Sequence, residues 1–159
     1  MILLSDTRQQ KGKHKNIEDY CSRQGIKIVR QALNVGDYML AGPEFGGLKG
    51  DISCDTKMDV RELAMDVFQS HRRFRDECLR AQEQGIQLIV LVEEALPGGR
   101  LENWRSPLGR DGLPLCRFDP ARLKKTLITM QERYGVRFRF CDARSTGKVL
   151  IEYLKGERQ

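Results

Sequence analysis

Apolar residues recur along this chain with two spacings, and each spacing predicts one kind of element. Short apolar or alternating runs are typical of strands, and they fall at residues 1–5, 26–32, 35–40, 51–57, 86–92 and 136–141. Apolar residues three or four positions apart are typical of helices, and they fall at residues 16–23, 60–68, 71–84, 119–134 and 145–154. The order β-α-β-β-β-α-α-β-α-β-α predicts an α/β domain whose mixed central β-sheet is flanked by helices on both faces.

Residues that cap helices or form turns mark the boundaries of these elements. Asn16, Asp59 and Asp119 precede helical patterns and can each accept a hydrogen bond from the first turn. Glycine and proline between residues 42 and 47 predict a turn. A Pro/Gly-rich loop at about 95–118 is unusually long for a compact domain, which favours a functional or mobile segment.

Within that loop lies Trp104, the only tryptophan of the chain. Two interpretations stay open from the sequence. The indole either packs down as part of a lid or stacks on a nucleic-acid base.

Composition limits the class of protein. The chain has 159 residues, of which 40% are hydrophobic, so residues 1–159 can close over the core of a single domain. No apolar run approaches the roughly 20 residues of a membrane span, and the apolar start is too short for a secretory signal, so we expect a soluble, cytoplasmic protein without a membrane partner. Five cysteines, an odd number without a C-x-x-C pair, favour reduced thiols over disulfides or a zinc ribbon.

Charge is distributed unevenly along the chain. The net charge is +6, but residues 31–70 carry −4 and the remainder carries +10. Cationic surface that holds a polyphosphate, beside carboxylates that hold a metal ion, is typical of a nucleic-acid enzyme. The alternative is that these charges only solvate helix faces, so the positions of individual residues have to decide.

Three charged residues at predicted strand ends could carry chemistry. Asp37 lies in one strand, and Asp55 and Lys57 end another. Residues two apart in a strand share a face, so Asp55 and Lys57 lie on one face and Thr56 points away from it. Two carboxylates can share a divalent cation, while a lysine orients or deprotonates the attacking water and offsets charge on phosphorus. The alternative is that these are ordinary surface charges, because the pattern is common in a chain of which 31% is charged.

More of the chain supports the first interpretation. Asp-Thr-Arg at 6–8, Val-Gly-Asp-Tyr at 35–38 and Asp-Thr-Lys at 55–57 resemble, in order and spacing, the nuclease domain of the XPF family of structure-specific endonucleases. That family shows D-x-R, V-G-D-Y and E-R-K motifs, followed by a helix with an acidic residue before a leucine. Glu62 fits that last position with one extra residue, and Asp59 is the other candidate. The resemblance covers residues 1–94 well and 119–155 loosely.

Two departures from the family pattern change what we expect. Thr56 replaces the middle arginine, so we expect the chemistry to survive and a supporting ion pair or phosphate contact to be lost. The chain also leaves no room after Leu154 for the tandem helix-hairpin-helix module that usually follows in this family. Its size therefore predicts a stand-alone phage or prophage-type member, located in a bacterial or phage-infected cell.

The resemblance implies a restriction-endonuclease-like fold and a metal-dependent DNA endonuclease acting at branched or junction structures. Mg²⁺ is the expected ion, Mn²⁺ can substitute, and no organic cofactor is expected. Expected partners are DNA and a second copy of the chain in a homodimer. Alternatives are a non-catalytic nucleic-acid-binding module of the same fold, and a nuclease that acts on RNA.

The site residues implied by this interpretation fall into two groups. Asp37 and Asp55 would bind the metal, Lys57 would position the nucleophilic water, and Asp6 and Glu62 would be secondary ligands of the metal or water. For Asp6 the alternative is a strand-end turn residue, and for Glu62 a plain helix-face carboxylate. Contacts to the phosphate backbone are expected from Arg8, Arg72, Arg73 and Arg75. For the last three, a solvated helix face is an equal alternative.

Overall fold

The computed structural model describes residues 1–42 and 51–158, so the turn predicted at 42–47 lies outside the described residues except for Gly42. The described strands are β1 (Ile2–Ser5), β2 (Lys27–Arg30), β3 (Tyr38–Ala41), β4 (Ile52–Lys57), β5 (Gln87–Val92) and β6 (Arg137–Phe140). The described α-helices are α1 (Lys15–Arg23), α2 (Val60–Phe68), α3 (His71–Glu83), α4 (Pro120–Tyr134) and α5 (Thr146–Leu154). This order is the one that the apolar pattern predicts.

The strands form one mixed sheet in the order β2-β1-β3-β4-β5-β6. Strand β1 runs parallel to β2 and antiparallel to β3, and β3 runs antiparallel to β4. The other half of the sheet, from β4 through β5 to β6, is parallel. As a result, β1 and β4 end, and β3 begins, at the same edge of the sheet.

Helices cover both faces of the sheet, as predicted. The central strand β5 shows why, because its side chains alternate between two separate apolar cores. Leu88, Val90 and Val92 pack with α2, α3 and α4, whereas Ile89 and Leu91 pack with α1 and α5. All five of these side chains are at most 2% exposed.

Element ends differ from the predictions where a local feature overrides the apolar pattern. The strand predicted at 35–40 begins only at Tyr38, because Gly36 has a φ of 69° and interrupts the extended backbone. The predicted cap of α1 at Asn16 is wrong, since the helix begins at Lys15 and the capping position is His14. The His14 ring contacts Glu93 in the interior and makes no capping hydrogen bond.

Two predicted caps are confirmed. Asp59 accepts a hydrogen bond from Glu62 N at 2.7 Å, and Asp119 accepts one from Ala121 N at 2.9 Å.

The long segment between β5 and α4 is tied to the core through its tryptophan. Trp104 is 2% exposed and stacks on Phe118 with ring centroids 5.0 Å apart. Its indole N–H donates to Glu94 Oε1 at 2.7 Å, while Glu94 Oε2 accepts from Val60 N, also at 2.7 Å. Of the two interpretations of Trp104, the structure therefore favours packing over an exposed stacking surface.

Two expectations about chemical class can be checked within the same fold. All five cysteines are free; Cys21, Cys54 and Cys78 are buried, and Cys116 and Cys141 are half-buried. None of the described helices is long and apolar enough to cross a membrane.

Candidate active site

A cleft of about 510 Å³ opens at the sheet edge where β1 and β4 end and β3 begins. Its lining includes seven of the residues that the sequence singles out: Asp6, Arg8, Asp37, Asp55, Lys57, Glu62 and Arg73. A larger groove of about 810 Å³ adjoins it and shares Lys13, Glu62 and Asp66 with it. Because Asp37 and Asp55 line only the smaller cleft, we place the candidate chemistry there.

Gly36 allows the backbone before β3 to press against β4. A Cβ at this position would lie 2.2 Å from Ser53 Oγ and 3.0 Å from the Cys54 carbonyl oxygen, and the positive φ itself disfavours any other residue. The close approach lets Asp37 N donate to that carbonyl at 2.7 Å, which fixes Asp37 beside Asp55. On its other side, the Asp37 carbonyl accepts from Asp6 N at 2.8 Å.

Asp55 is a buried carboxylate beside the Lys57 ammonium. The residue is 5% exposed, and its Oδ2 forms an ion pair with Lys57 Nζ at 2.7 Å. Burial raises the pKa of Asp55 well above its ordinary value; the Lys57 ammonium opposes this rise, and the charges of Asp37 and Glu77 add to it. A further cation at this site would stabilise the ionised form of the Asp55 carboxylate.

Lys57 lies between two carboxylates. Its Nζ is 2.7 Å from Asp55 Oδ2 and 2.7 Å from Asp66 Oδ2. Burial alone would lower the pKa of Lys57, but Asp55 and Asp66 outweigh it and raise the pKa above its ordinary value. Lys57 is therefore a cation in this arrangement, which suits it to orient water or to offset negative charge rather than to remove a proton.

Asp6 supports the backbone that carries Asp37. Its Oδ1 accepts from Arg8 N at 2.7 Å and Arg8 Nε at 2.9 Å, and its Oδ2 accepts from an Arg8 guanidinium nitrogen at 2.7 Å and from Leu33 N at 2.8 Å. Hydrogen bonds from Arg8 lower the pKa of Asp6 to about 2, against the opposing effect of burial. Both oxygens are thus occupied by Arg8 and Leu33, while the Asp6 backbone N–H holds Asp37.

Glu62 lines the cleft from the first turn of α2. Its Oε1 accepts from Lys13 Nζ at 2.7 Å and its Oε2 accepts from Met58 N at 2.8 Å. Burial acts to raise the pKa of Glu62, but the bonds from Lys13 and Met58 prevail and lower it. The carboxylate is ionised and faces the cleft, with both oxygens already holding a donor.

Thr56 does not point away from the site, and this prediction is wrong. Its Oγ1 donates to Asp37 Oδ2 at 2.7 Å, and its backbone N–H donates to the same oxygen at 2.9 Å. The register of β3 and β4 places Tyr38 opposite Cys54, so Asp37 extends past the paired residues, and its carboxylate reaches Thr56 along the sheet edge. Strand alternation describes only the two faces of a sheet and not this edge.

The chain matches a known protein family over almost its whole length. The model of the ERCC4 domain matches residues 5–153, nearly the whole chain. The chain belongs to the ERCC4 domain family. This match includes every residue of the cleft described above, and it confirms the resemblance to XPF nuclease domains.

Two solved structures show the same fold as this ERCC4 domain. XPF from Aeropyrum pernix superposes with a TM-score of 0.63 at 19% identity, covering 100% of this chain and 63% of that one. XPF from Aeropyrum pernix in complex with DNA superposes with a TM-score of 0.62 at 18% identity, covering 98% of this chain and 64% of that one. The chain thus spans a little less than two thirds of the length of these structures, and the fold is the restriction-endonuclease-like fold of XPF nuclease domains. Comparison with curated proteins gave no match.

The predicted arginines of the ERCC4 domain separate into two sets. Arg8 and Arg73 line the cleft, and the Arg73 side chain is 84% exposed. Arg72 and Arg75 are not among the lining residues, and Arg75 pairs instead with Asp76 at 3.0 Å. Adjacent positions on a helix point in different directions, so a basic cluster in the sequence does not become one basic face.

Sequence reasoning missed four charged residues of the cleft: Lys13, Asp66, Glu77 and Arg80. Helical spacing could have found three of them. Glu77 and Arg80 follow Arg73 at intervals of four and three residues, and Asp66 follows Glu62 at an interval of four, so each set shares one helix face. Lys13 carries no such signal, because it lies among other basic residues before α1.

A divalent cation fits the donors of this cleft. Among residues 1–42 and 51–158, no three histidine, cysteine or carboxylate side chains form a ready metal cluster. Mg²⁺ does not require one, since it is commonly held by one or two carboxylates and keeps several waters. Asp55 offers a buried carboxylate that pairs with Lys57 through Oδ2. The hydrogen bonds received by the Asp37 carboxylate all fall on Oδ2, so its Oδ1 has no donor among the described residues.

Proposed function

We propose that this ERCC4 domain is a divalent-cation-dependent DNA endonuclease that cuts at branched or junction structures. The observation that carries the proposal is the meeting of Asp37, Asp55 and the charged Lys57 at one cleft. Family membership supports the nuclease class, and the DNA complex of the Aeropyrum pernix protein supports DNA as the substrate. The chain retains both acids and the lysine, which weighs against a binding module without catalysis.

Each charged residue of the cleft has a distinct part in this mechanism. Asp37 and Asp55 would hold Mg²⁺, for which Mn²⁺ can substitute. Held by these two carboxylates, such an ion would supply Lewis-acid polarisation of a phosphoryl oxygen and would lower the pKa of a water. Lys57 orients the attacking water and stabilises the charge that develops on the phosphorus oxygens. Asp6 holds the Asp37 backbone in place, and Glu62 adds negative charge at the rim.

Cations along α3 and beside α1 would hold the phosphate backbone. Arg73 and Arg80 lie on one face of α3, and Lys13 approaches from the loop before α1. Each neutralised phosphate releases counterions, so binding weakens with salt. We extend the same role to Arg8, and we retain Arg72 and Arg75 as contacts for DNA that extends beyond the cleft.

Cleavage of defined substrates tests the proposal. Purified protein is incubated with end-labelled flap, splayed-arm, duplex and single-stranded DNA, and with a matched RNA duplex, in Mg²⁺, Mn²⁺ or EDTA. Asp55→Ala is the inactive comparison, and Asp19→Ala is the matched control, because Asp19 is exposed and is not among the cleft residues. We expect wild type and Asp19→Ala to cut branched DNA only with a divalent cation, and Asp55→Ala to lose at least a hundredfold in rate.

Three outcomes would contradict parts of the proposal. Equal products from wild type and Asp55→Ala would show that catalysis takes place at another site. Cleavage in EDTA would contradict the requirement for a divalent cation. DNA binding without cleavage would identify a binding module, and preferential cleavage of the RNA duplex would identify an RNA nuclease. Light scattering of the protein in solution tests the predicted homodimer, and fractionation of cells that express it tests the predicted cytoplasmic location.

Salt titration tests the basic residues separately from the chemistry. Arg73→Ala and Arg80→Ala are each expected to weaken DNA binding and to reduce the slope of log K against log salt by about one. The matched control is Arg144→Ala, since Arg144 is exposed, pairs with Asp142 and is not a lining residue of the cleft. An unchanged slope in both α3 variants would show that these arginines do not contact the DNA phosphates.

A further inference from the structure

A buried histidine connects the candidate metal ligand Asp37 to a second buried carboxylate. His14 is 3% exposed, and its Nδ1 contacts Glu93 Oε1 while its Nε2 lies 3.1 Å from Thr56 Oγ1. Thr56 Oγ1 in turn lies 2.7 Å from Asp37 Oδ2. His14 and Glu93 are not among the described residues that line the cleft, so this chain of contacts supports the site from behind.

The direction of the hydrogen bonds follows from the donors available. An ionised carboxylate only accepts, so the single hydroxyl proton of Thr56 is committed to Asp37 Oδ2. The Thr56 oxygen then accepts from His14 Nε2 and from Gln9 Nε2, the latter at 3.2 Å. Because His14 Nδ1 also faces an acceptor, the Glu93 carboxylate, this pattern requires a proton on both ring nitrogens. With the Thr56 N–H as a second donor, Asp37 Oδ2 is held by two bonds, and Oδ1 is the oxygen left to face a cation.

Glu93 fixes the ring that makes this arrangement possible. Its Oε1 contacts His14 Nδ1, and its Oε2 accepts from Thr146 Oγ1 at 3.2 Å. Its backbone N–H donates to the Lys57 carbonyl at 2.8 Å, so the backbone of Glu93 is anchored to the end of β4. A carboxylate bonded to one ring nitrogen fixes the orientation of the ring, and in the imidazolium form, paired with Glu93, the far nitrogen also donates.

We propose that Thr56, His14 and Glu93 are positioning residues that orient the Asp37 carboxylate for a divalent cation. This inference rests on the proposed function, because it takes Asp37 as a metal ligand. It assigns to the hydroxyl of Thr56 a role in binding that the alternation of β4 does not reveal. Loss of an outer partner of a metal ligand typically weakens metal binding by 10- to 100-fold.

Two substitutions at Thr56 test the role of the hydroxyl. Thr56→Val has nearly the same shape and lacks the hydroxyl, whereas Thr56→Ser keeps it. Binding of Mn²⁺ is measured without DNA, from the electron paramagnetic resonance signal of the free ion. We expect Thr56→Val to weaken binding by roughly tenfold and Thr56→Ser to stay within about threefold of wild type, and Asp37→Asn to weaken it at least as much as Thr56→Val.

Substitutions at His14 test the next link. The side-chain amide of Gln places an N–H near the position of Nε2, whereas Leu removes the donor. We expect His14→Leu to weaken Mn²⁺ binding several-fold more than His14→Gln, with both melting curves recorded to confirm a folded protein. Glu93→Gln is expected to lie between wild type and His14→Leu, because it keeps the shape of the side chain and weakens the bond to the ring.

The outcomes separate this inference from the proposed function. Equal Mn²⁺ affinity in wild type and Thr56→Val, equal losses in the Val and Ser variants, or no Mn²⁺ binding by wild type would each overturn it. If His14→Leu binds Mn²⁺ as tightly as wild type, His14 and Glu93 do not help to orient Asp37. Tenfold weaker Mn²⁺ binding by Thr56→Val in a protein that cuts no nucleic acid would leave the inference standing and refute the endonuclease.

Discussion

The bonds between Asp6 and Arg8 predict a pH-dependent contribution to stability that can be measured with one substitution. The pKa of Asp6 is lowered from 3.8 to about 2 in the folded chain. At about 1.36 kcal/mol per pKa unit, the full shift corresponds to about 2.5 kcal/mol. Because the Arg8 side chain is 69% exposed and water screens it, we expect about 1–1.5 kcal/mol.

The sign follows from the direction of the shift. A carboxyl group whose pKa is lower in the folded state stabilises that state above the unfolded pKa, and the contribution is lost as the pH falls through the folded pKa. For Asp6 the contribution is complete above about pH 5 and falls to about half near pH 3. Asp6→Asn has nearly the shape of the protonated acid, so it mimics the low-pH form at every pH.

Urea denaturation of wild type and Asp6→Asn between pH 7 and pH 3 measures this contribution. We expect the difference in unfolding free energy between the two proteins to be largest at pH 7 and to shrink by about half at pH 3. Asp19→Asn is the control, because Asp19 is exposed, and it should stay within about 0.5 kcal/mol of wild type throughout. If the difference in unfolding free energy stays constant across this pH range, the ionised Asp6 carboxylate does not stabilise the folded state.

Three further substitutions probe how the site is held. Gly36→Ala places a Cβ 2.2 Å from Ser53 Oγ at a φ of 69°, so we expect the unfolding free energy measured in urea to fall by at least about 2 kcal/mol and cleavage to be lost with it. An unchanged unfolding free energy would contradict the close approach of the two strands. Trp104→Phe removes the donor to Glu94 and should cost about 1–3 kcal/mol in urea, and a neutral result would show that this bond is not made. Asp119→Ala removes the cap of α4 and should lower the unfolding free energy by about 1 kcal/mol, while leaving Mn²⁺ binding unchanged as a control for the cleft.

The fold could be predicted because the spacing of apolar residues that are close in sequence determines its helices and strands. The apolar run of β5 implies burial on both faces, and the structure divides its side chains between two cores. The period of two in β4 places Asp55 and Lys57 together, and their charged groups lie 2.7 Å apart. Both inferences use residues that are close in sequence, for which backbone geometry alone decides which side chains meet.

The support behind the site could not be predicted, because it depends on pairs that are distant in sequence. His14 and Glu93 are 79 positions apart, and the spacing of the residues around each of them does not indicate that they meet. Thr56 meets Asp37 at a sheet edge, where the rule of alternating faces does not apply. Trp104 similarly requires Glu94 and Phe118 to be in place before its burial can be understood.

Glu94 restricts how the long segment before α4 can change during evolution. One oxygen of this carboxylate holds the Trp104 indole and the other holds the first backbone N–H of α2, the helix that presents Asp66 to Lys57. Residues near the exposed Leu108 and Leu113 are free of this link, so insertions and substitutions can accumulate there with little cost to the cleft. A change at position 104 instead reaches α2 through a single shared side chain, so a substitution of Trp104 affects the helix that carries Asp66.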